Sequence, residues 1–413
     1  MKAAKILTLF VAALAMADVA FSQAWTPTSA PNNYWSFIAS SADGGKLIAG
    51  GFNWNCSTST DSGASWTSNS EPQSGSMIGS WYRMASSADG TKLLATSVGS
   101  VVWVSTNSGV TWLSNNVPDV IYWGPVAMSA DGNTLVAAAG GRSHPPGSIY
   151  ISTNWGVSWN ATSAPTNVWV GVASSTDGTK LIAAAAVPWS GVIYTSTDSG
   201  GTWTQAGVPS NYWSAVASSA DGSRMVAVYF NATNGVPGVY LPGHIYTSAD
   251  SGVTWVSNSL VAGNWETVAL SADGNTLLAG GQIYNNTDLF VSIDFGVTGT
   301  SLLLSSDYFS GYIISIALSA DGGKLFAATL EGLIYTSQSV VAPQLNLTLL
   351  GGNLGLSWLV PSTEFGLQEN SDLATTNWAD VTNLPVLNLT NLHNEVFLSP
   401  TGSSGFYRLK TPQ

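Results

Sequence analysis

Residues 196–203 read STDSGGTW, an acid, hydroxyls and a tryptophan set around glycines, the kinds of group that a sugar site uses. Whether Asp198 does chemistry or holds a turn is decided by its siblings. The pattern returns as STDSGASW (59–66), STNSGVTW (105–112), STNWGVSW (152–159) and SADSGVTW (248–255), then decays to SIDFGVTG (292–299). Asn107 and Asn154 replace the acid in two copies. An amide can hold a turn by accepting backbone N–H bonds, but it cannot exchange a proton as a general acid or base. Asp61, Asn107, Asn154, Asp198, Asp250 and Asp294 are therefore read as structural, with the glycine supplying a positive φ.

A second unit, S-[AT]-D-G, occurs seven times, with aspartates Asp43, Asp89, Asp131, Asp177, Asp221, Asp273 and Asp321 spaced 42 to 52 residues apart. Apolar runs such as WSAVASS and KLIAGG flank it, and Asp-Gly between two such runs signals a hairpin. A third run ending in aromatic-x-Ser leads into the first motif, and a fourth leaves it. Four short strands per repeat of this length predict an all-β chain built as a seven-bladed β-propeller over residues 25–340. The seventh repeat stops after its third strand, at LIYTSQS. Trp25 and Thr26, in AWTPTSAP, are expected to supply its fourth and close the ring.

The S-x-D-x-G-x-[ST]-W units resemble the Asp-box, or BNR, repeat. The propeller half is similar to the secreted group that includes sialidases, xyloglucan-cleaving glycosidases, sortilin-type receptors and photosystem II assembly factors. The resemblance implies the propeller fold. It does not choose among enzyme, receptor and chaperone, since one fold hosts all three.

Composition narrows the choice. The formal charge is −12 and only 11 Lys and Arg occur in 413 residues, which argues against a nucleic-acid partner. Residues 1–24, MKAAKILTLFVAALAMADVAFSQA, read as a secretory signal cleaved after Ala24. No later stretch is long and apolar enough for a membrane span. A secreted, extracellular or periplasmic monomer is expected. Cys56 is the sole cysteine, so an intrachain disulfide is impossible and a buried, inert thiol is expected.

With the turn residues set aside, few groups remain for chemistry. Sialidase activity is disfavoured: Arg224 occupies the position of a recurrent surface lysine, leaving Arg83 and Arg142, where that chemistry needs a three-arginine clamp. His144 and His244 lack the spacing of a zinc site, and neither a metal nor a cofactor is expected. The off-template acids of the propeller are Glu71, Asp119, Glu266, Asp288, Asp307 and Glu331. Glu266, Asp288, Asp307 and Glu331 fall in adjacent blades six and seven, where two could act as a glycosidase pair.

The larger off-template signal is aromatic. Eight residues before the hairpin aspartates stand Trp35, Trp81, Trp123, Trp169, Trp213 and Trp265, with Ile313 next to Tyr312 in the seventh repeat. These Trp either pack between blades or form a crown at the channel mouth, stacking on sugar rings or gripping an extended peptide. Trp54, Trp189, Tyr240, Tyr284 and Arg142 fall in loops expected on the same face.

At residues 343–413 the repeat ends and alternating segments such as QLNLTL and NLGLSWLV follow. LQENSDLATTNWADVTN and FYRLK resemble the small β module that closes many secreted bacterial proteins, which implies an immunoglobulin- or fibronectin-like β-sandwich. The leading reading is a non-catalytic propeller that binds a glycan or protein segment. A glycoside hydrolase and a structural surface protein are the alternatives.

Overall fold

The computed structural model describes residues 25–51, 56–69, 81–97, 101–116, 122–141, 144–186, 191–230, 243–283, 286–303, 312–338, 343–350, 353–360, 365–372, 375–399 and 405–410. The signal segment 1–24 and Trp54, Glu71, Asp119, Arg142, Trp189, Tyr240, Tyr284 and Asp307 lie outside the described residues, as does the side chain of Asp288.

All described regular structure is β-strand. In the first repeat Trp35–Ser40, Leu47–Gly51, Cys56–Ser59 and Thr67–Asn69 pair in sequence order as one antiparallel sheet. The same order recurs in the sheets that begin at Trp81, Trp123 and Trp169. In the seventh repeat Ile313–Leu318, Lys324–Thr329 and Ile334–Gln338 are joined by Thr26–Pro27, with Thr26 opposite Thr336 and Pro27 opposite Tyr335. Trp25 is buried against Ile313, Leu325 and Tyr335.

Repeats five and six depart from the expected pair of separate sheets. A single strand, Val256–Leu270, serves as the outer strand of one and the inner strand of the other, giving a seven-stranded sheet. Pro165 and Pro209 stand in the corresponding links after the third and fourth repeats, whereas VSNSLVAGN has no proline and keeps a backbone N–H at every residue.

The hairpin turns are linked to one another. Ala42 N donates to Ala88 O, Ala88 N to Ala130 O, Ala130 N to Thr176 O, Thr176 N to Ala220 O, Ala220 N to Ala272 O, and Ala272 N to Ala320 O. Ala320 N then donates to Ala42 O, and all seven bonds measure 2.6–2.8 Å. Cations reinforce the links. Lys46 Nζ donates to Asp89 O, Lys92 Nζ to Asp131 O and Lys324 Nζ to Asp43 O. The position read as a recurrent surface lysine thus bridges repeats, and Lys324 is buried.

Beyond residue 343, Asn346–Leu350, Asn353–Leu359, His393–Leu398 and Val386–Asn388 form one sheet. Ala379–Asp380, Gly366–Asn370 and Phe406–Lys410 form another. Leu356, Trp358 and Val396 of the first share a core with Leu367 of the second.

Candidate functional site

The geometry of the turn motifs removes most acids from consideration. Ser196 Oγ donates to Asp198 Oδ1 at 2.8 Å and accepts from Gly200 N at 2.9 Å. Asp198 Oδ1 accepts from Thr202 N at 2.8 Å, and Oδ2 accepts from Thr202 Oγ1 at 2.7 Å. Both carboxylate oxygens are engaged within their own turn. The Thr202 bonds hold the Asp198 carboxyl below the usual carboxylate range, and those of Ser65 hold Asp61 down to about 2. Positive φ is taken by two successive residues here, Ser199 (54°) and Gly200 (81°), where the sequence pointed to glycine alone. Trp155 and Phe295 occupy the first of these positions with bulky side chains, under Lys92 Nζ at 4.1 Å and the Arg224 guanidinium at 5.1 Å.

In the hairpins Ser41 Oγ donates to Asp43 Oδ1 at 2.6 Å, and Gly45 N donates to the same oxygen at 2.9 Å. Gly44 takes φ 65°. The six other hairpins repeat the serine–aspartate bond.

The six tryptophans of the inner strands do not form the exposed crown. Trp35, Trp81, Trp123, Trp169, Trp213 and Trp265 are at most 4% exposed and lie in the cores between repeats. Trp169, for example, packs on Val136, Ala138 and Ile149 of the preceding repeat. Trp35, Trp169 and Trp213 donate their indole N–H groups to the carbonyls of Gly332, Gly147 and Gly191. The cause is strand alternation with a bulge. Trp35 opposes Gly51 and Phe37 opposes Gly50, so Ser36 is the extra residue, and the slip recurs after Trp81, Trp169, Trp213, Trp265 and Ile313. The Trp is thereby turned to the interface between sheets.

Residues beside the start of several inner strands carry the exposed aromatic surface. Tyr34 and Tyr312, each one residue before the inner strand, are 64% and 47% exposed. Tyr122 and Tyr212 hold the same position in other repeats and are half-buried. Tyr82, at the bulge after Trp81, is 38% exposed with the Arg83 guanidinium 4.6 Å above its ring. His144 stacks on Tyr122 with ring centroids 3.6 Å apart, and Phe230 lies beside Tyr212 at 6.4 Å. Sequence reading singled out Tyr312 but missed Tyr34, Tyr82, Tyr122 and Tyr212. The signal was present in the alternation: if the Trp faces inward, its neighbours cannot share that face.

Of the candidate acids, Glu266 is exposed beside Trp265, and Glu331 is exposed in the hairpin between Thr329 and Leu333. That hairpin binds the same end of the inner strands, since Leu330 N donates to Tyr312 O. The fold thus brings Glu266 and Glu331 to one face of neighbouring repeats. Asp288 opposes Gly281 and Leu303 in its strand. Cys56 is buried and its thiol is pushed up to about 12 by that burial. Among the described residues no group of three or more His, Cys, Asp and Glu is placed to hold a metal ion, and no helix is long and apolar enough to cross a membrane.

No family model and no curated protein matches the chain in sequence. Solved structures do share its architecture. A GH74 xyloglucanase from Xanthomonas campestris aligns with TM-score 0.59 at 14% identity over 82% of this chain. This chain spans 59% of the xyloglucanase's length. YCF48 bound to D1 peptide aligns with TM-score 0.56 at 15% identity, covering 77% of this chain and 97% of that one. Hydrazine synthase from Kuenenia stuttgartiensis aligns with TM-score 0.56 at 17% identity, covering 79% and 100%. The fold is a β-propeller. At these identities the likeness speaks for fold alone, and the three neighbours differ in what they do.

Proposed function

We propose that the chain is a secreted, non-catalytic, seven-bladed Asp-box propeller that binds a glycan at its tyrosine-bearing face. The blades span residues 25–340, closed by the Thr26–Pro27 strand, and a β-sandwich tail spans 343–413. The cycle of turn bonds from Ala42 back to Ala42 supports the ring, and the shared core of Leu356 and Leu367 supports the sandwich. The observation that carries the binding role is the exposure of Tyr34, Tyr82 and Tyr312 on the face where the inner strands begin. Tyrosine offers a flat apolar ring for stacking on a sugar and a hydroxyl for its rim, at low conformational cost. A net charge of −12 favours a neutral ligand over an anionic one. The working form is a monomer without metal or cofactor.

Binding of the full mature chain to a glycan array tests this, with Tyr34→Ala and Tyr312→Ala as variants. Signals lost in both variants support the role. Signals unchanged in both, or found only on immobilised peptides, overturn it in favour of another surface or a protein ligand. A second reading, glycoside hydrolysis, is favoured by Glu266 and Glu331 reaching the same face. Release of reducing sugar from neutral polysaccharides, abolished in Glu266→Gln and Glu331→Gln, would establish it.

A further inference from the structure

We propose that the alanine ring formed by the hairpin turns is a receptor for the tail, whose Leu392 enters the axial channel and closes it at that end. This rests on the closed-ring reading above. Leu392 is 8% exposed and clusters with Ala130 and Ala320, with Ala42, Ala88, Ala220 and Ala272 packed around them. These alanines are the second residue of the S-[AT]-D-G unit, whose backbones form the bond cycle. Where seven turns converge on one axis only a small side chain fits, and the result is an apolar collar. Leu392 lines the same lumen as Ser40, Ser86, Ser174 and Ser218.

Two further observations point to a built contact. Leu392 has φ 56°, a left-handed conformation unusual for a branched residue, which survives only where its surroundings impose it. The turn is held by Thr390 N donating to Asn388 Oδ1 and His393 N donating to Asn391 Oδ1, both at 2.9 Å. Val360 N donates to the carbonyl of Leu392 at 2.8 Å. The ring also departs from alanine at one position, Thr176, whose single hydroxyl proton is shared between the carbonyls of Ala220, in the next repeat, and Thr390, in this turn. The exception in the repeat is met by a hydrogen-bond acceptor beside the leucine. A ligand then reaches the channel from the tyrosine-bearing face, and the tail clasps all seven repeats at the other.

The test uses the full mature chain with a protease recognition sequence inserted between Ser339 and Val340. After cleavage the tail fragment is expected to co-elute with the propeller in size-exclusion chromatography. Leu392→Gly, which suits the positive φ while deleting the side chain, should release it, and Thr176→Ala should reduce its retention. Leu384→Asp, at a residue 86% exposed, should leave it bound. A tail that separates without any substitution, or stays equally bound in Leu392→Gly, overturns the proposal. Closure of the channel has its own readout, alkylation of Ser40→Cys by a bulky maleimide. The rate should rise at least tenfold in Leu392→Gly, and equal rates would refute the seal. None of these outcomes depends on glycan binding, so failure here and failure of the proposed function are separable.

Discussion

Asn107 Nδ2 donates to Thr111 Oγ1 at 2.8 Å, while Asn107 Oδ1 accepts from Thr111 N at 2.9 Å. The pair reproduces the contacts of Asp198 with Thr202, with one proton running the other way. The turn therefore needs an acceptor at one oxygen, and an amide satisfies its geometry without the charge. At pH 7 Asp198→Asn, which keeps the acceptor and loses only the charge, should lower the melting temperature less than Asp198→Ala, which leaves Thr202 N without its acceptor.

Acid should act through the same turns. The Asp61 carboxyl falls from an ordinary 3.8 to about 2, and those of Asp198 and Asp250 are also lowered by bonds from Thr202 and Thr254. A lowered carboxyl stabilises the fold above its unfolded value and loses that contribution as pH falls through its folded value. Thermal melts should decline between about pH 4 and pH 2. The triple variant Asp61→Asn, Asp198→Asn, Asp250→Asn should show a shallower decline, and an identical acid limb would count against this origin.

Burial separates two kinds of aromatic substitution. Trp213 is fully buried between Tyr229 and Tyr246, with ring centroids at 5.6 and 5.5 Å. Trp213→Ala should cost about 3–5 kcal/mol in denaturant unfolding through the cavity it leaves. Tyr312→Ala, at an exposed residue, should stay within about 0.5 kcal/mol of the parent.

Cys56 offers a reporter of unfolding. Its side chain is 3% exposed, and burial holds the thiol protonated far above neutral pH. Alkylation by iodoacetamide at pH 8 should be negligible in the native protein and should follow the unfolding transition in urea. Rapid labelling without denaturant would contradict this burial.

The repeat could be read from the sequence because its turns carry chemical requirements that recur: an acceptor at Asp198 or Asn107, and a glycine at Gly200 or Gly109. Strand pairing of Thr26 with Thr336 was legible for a related reason, since a missing fourth strand has one available donor segment. The tryptophan register was legible too, but its direction was not. A side chain eight residues before each turn is located along the strand by counting, while the face it takes depends on a bulge that composition does not mark. Counting therefore places Trp213 at the right strand end but leaves open whether it packs between repeats or faces the channel mouth, and it gives no sign of Tyr34 and Tyr122 beside the inner strands. The collar around Leu392 was less accessible still, because Ala130 and Leu392 are far apart in sequence and no pattern links them.

The sixth turn shows how one repeat dispenses with its final tryptophan. In the second repeat Trp81 packs on both Trp103 (6.2 Å) and Trp112 (5.0 Å), and in the third Trp123 packs on Tyr150 (5.5 Å) and Trp159 (5.9 Å). In the sixth Trp265 meets Phe290 at 6.2 Å, but the third ring is replaced by Gly299. A Cβ added at Gly299 would come within 2.3 Å of the Phe290 ring, which is fully buried. The Phe290 ring thus occupies the space into which a side chain at position 299 would project. Gly299→Trp alone should therefore overpack the site and destabilise by about 1–3 kcal/mol. Phe290→Ala alone should cost about 3–5 kcal/mol. Combining them places a large ring where a large ring was removed, so the double variant should be more stable than the sum of the two predicts. Strict additivity in urea unfolding would show that the two residues do not compete for one volume.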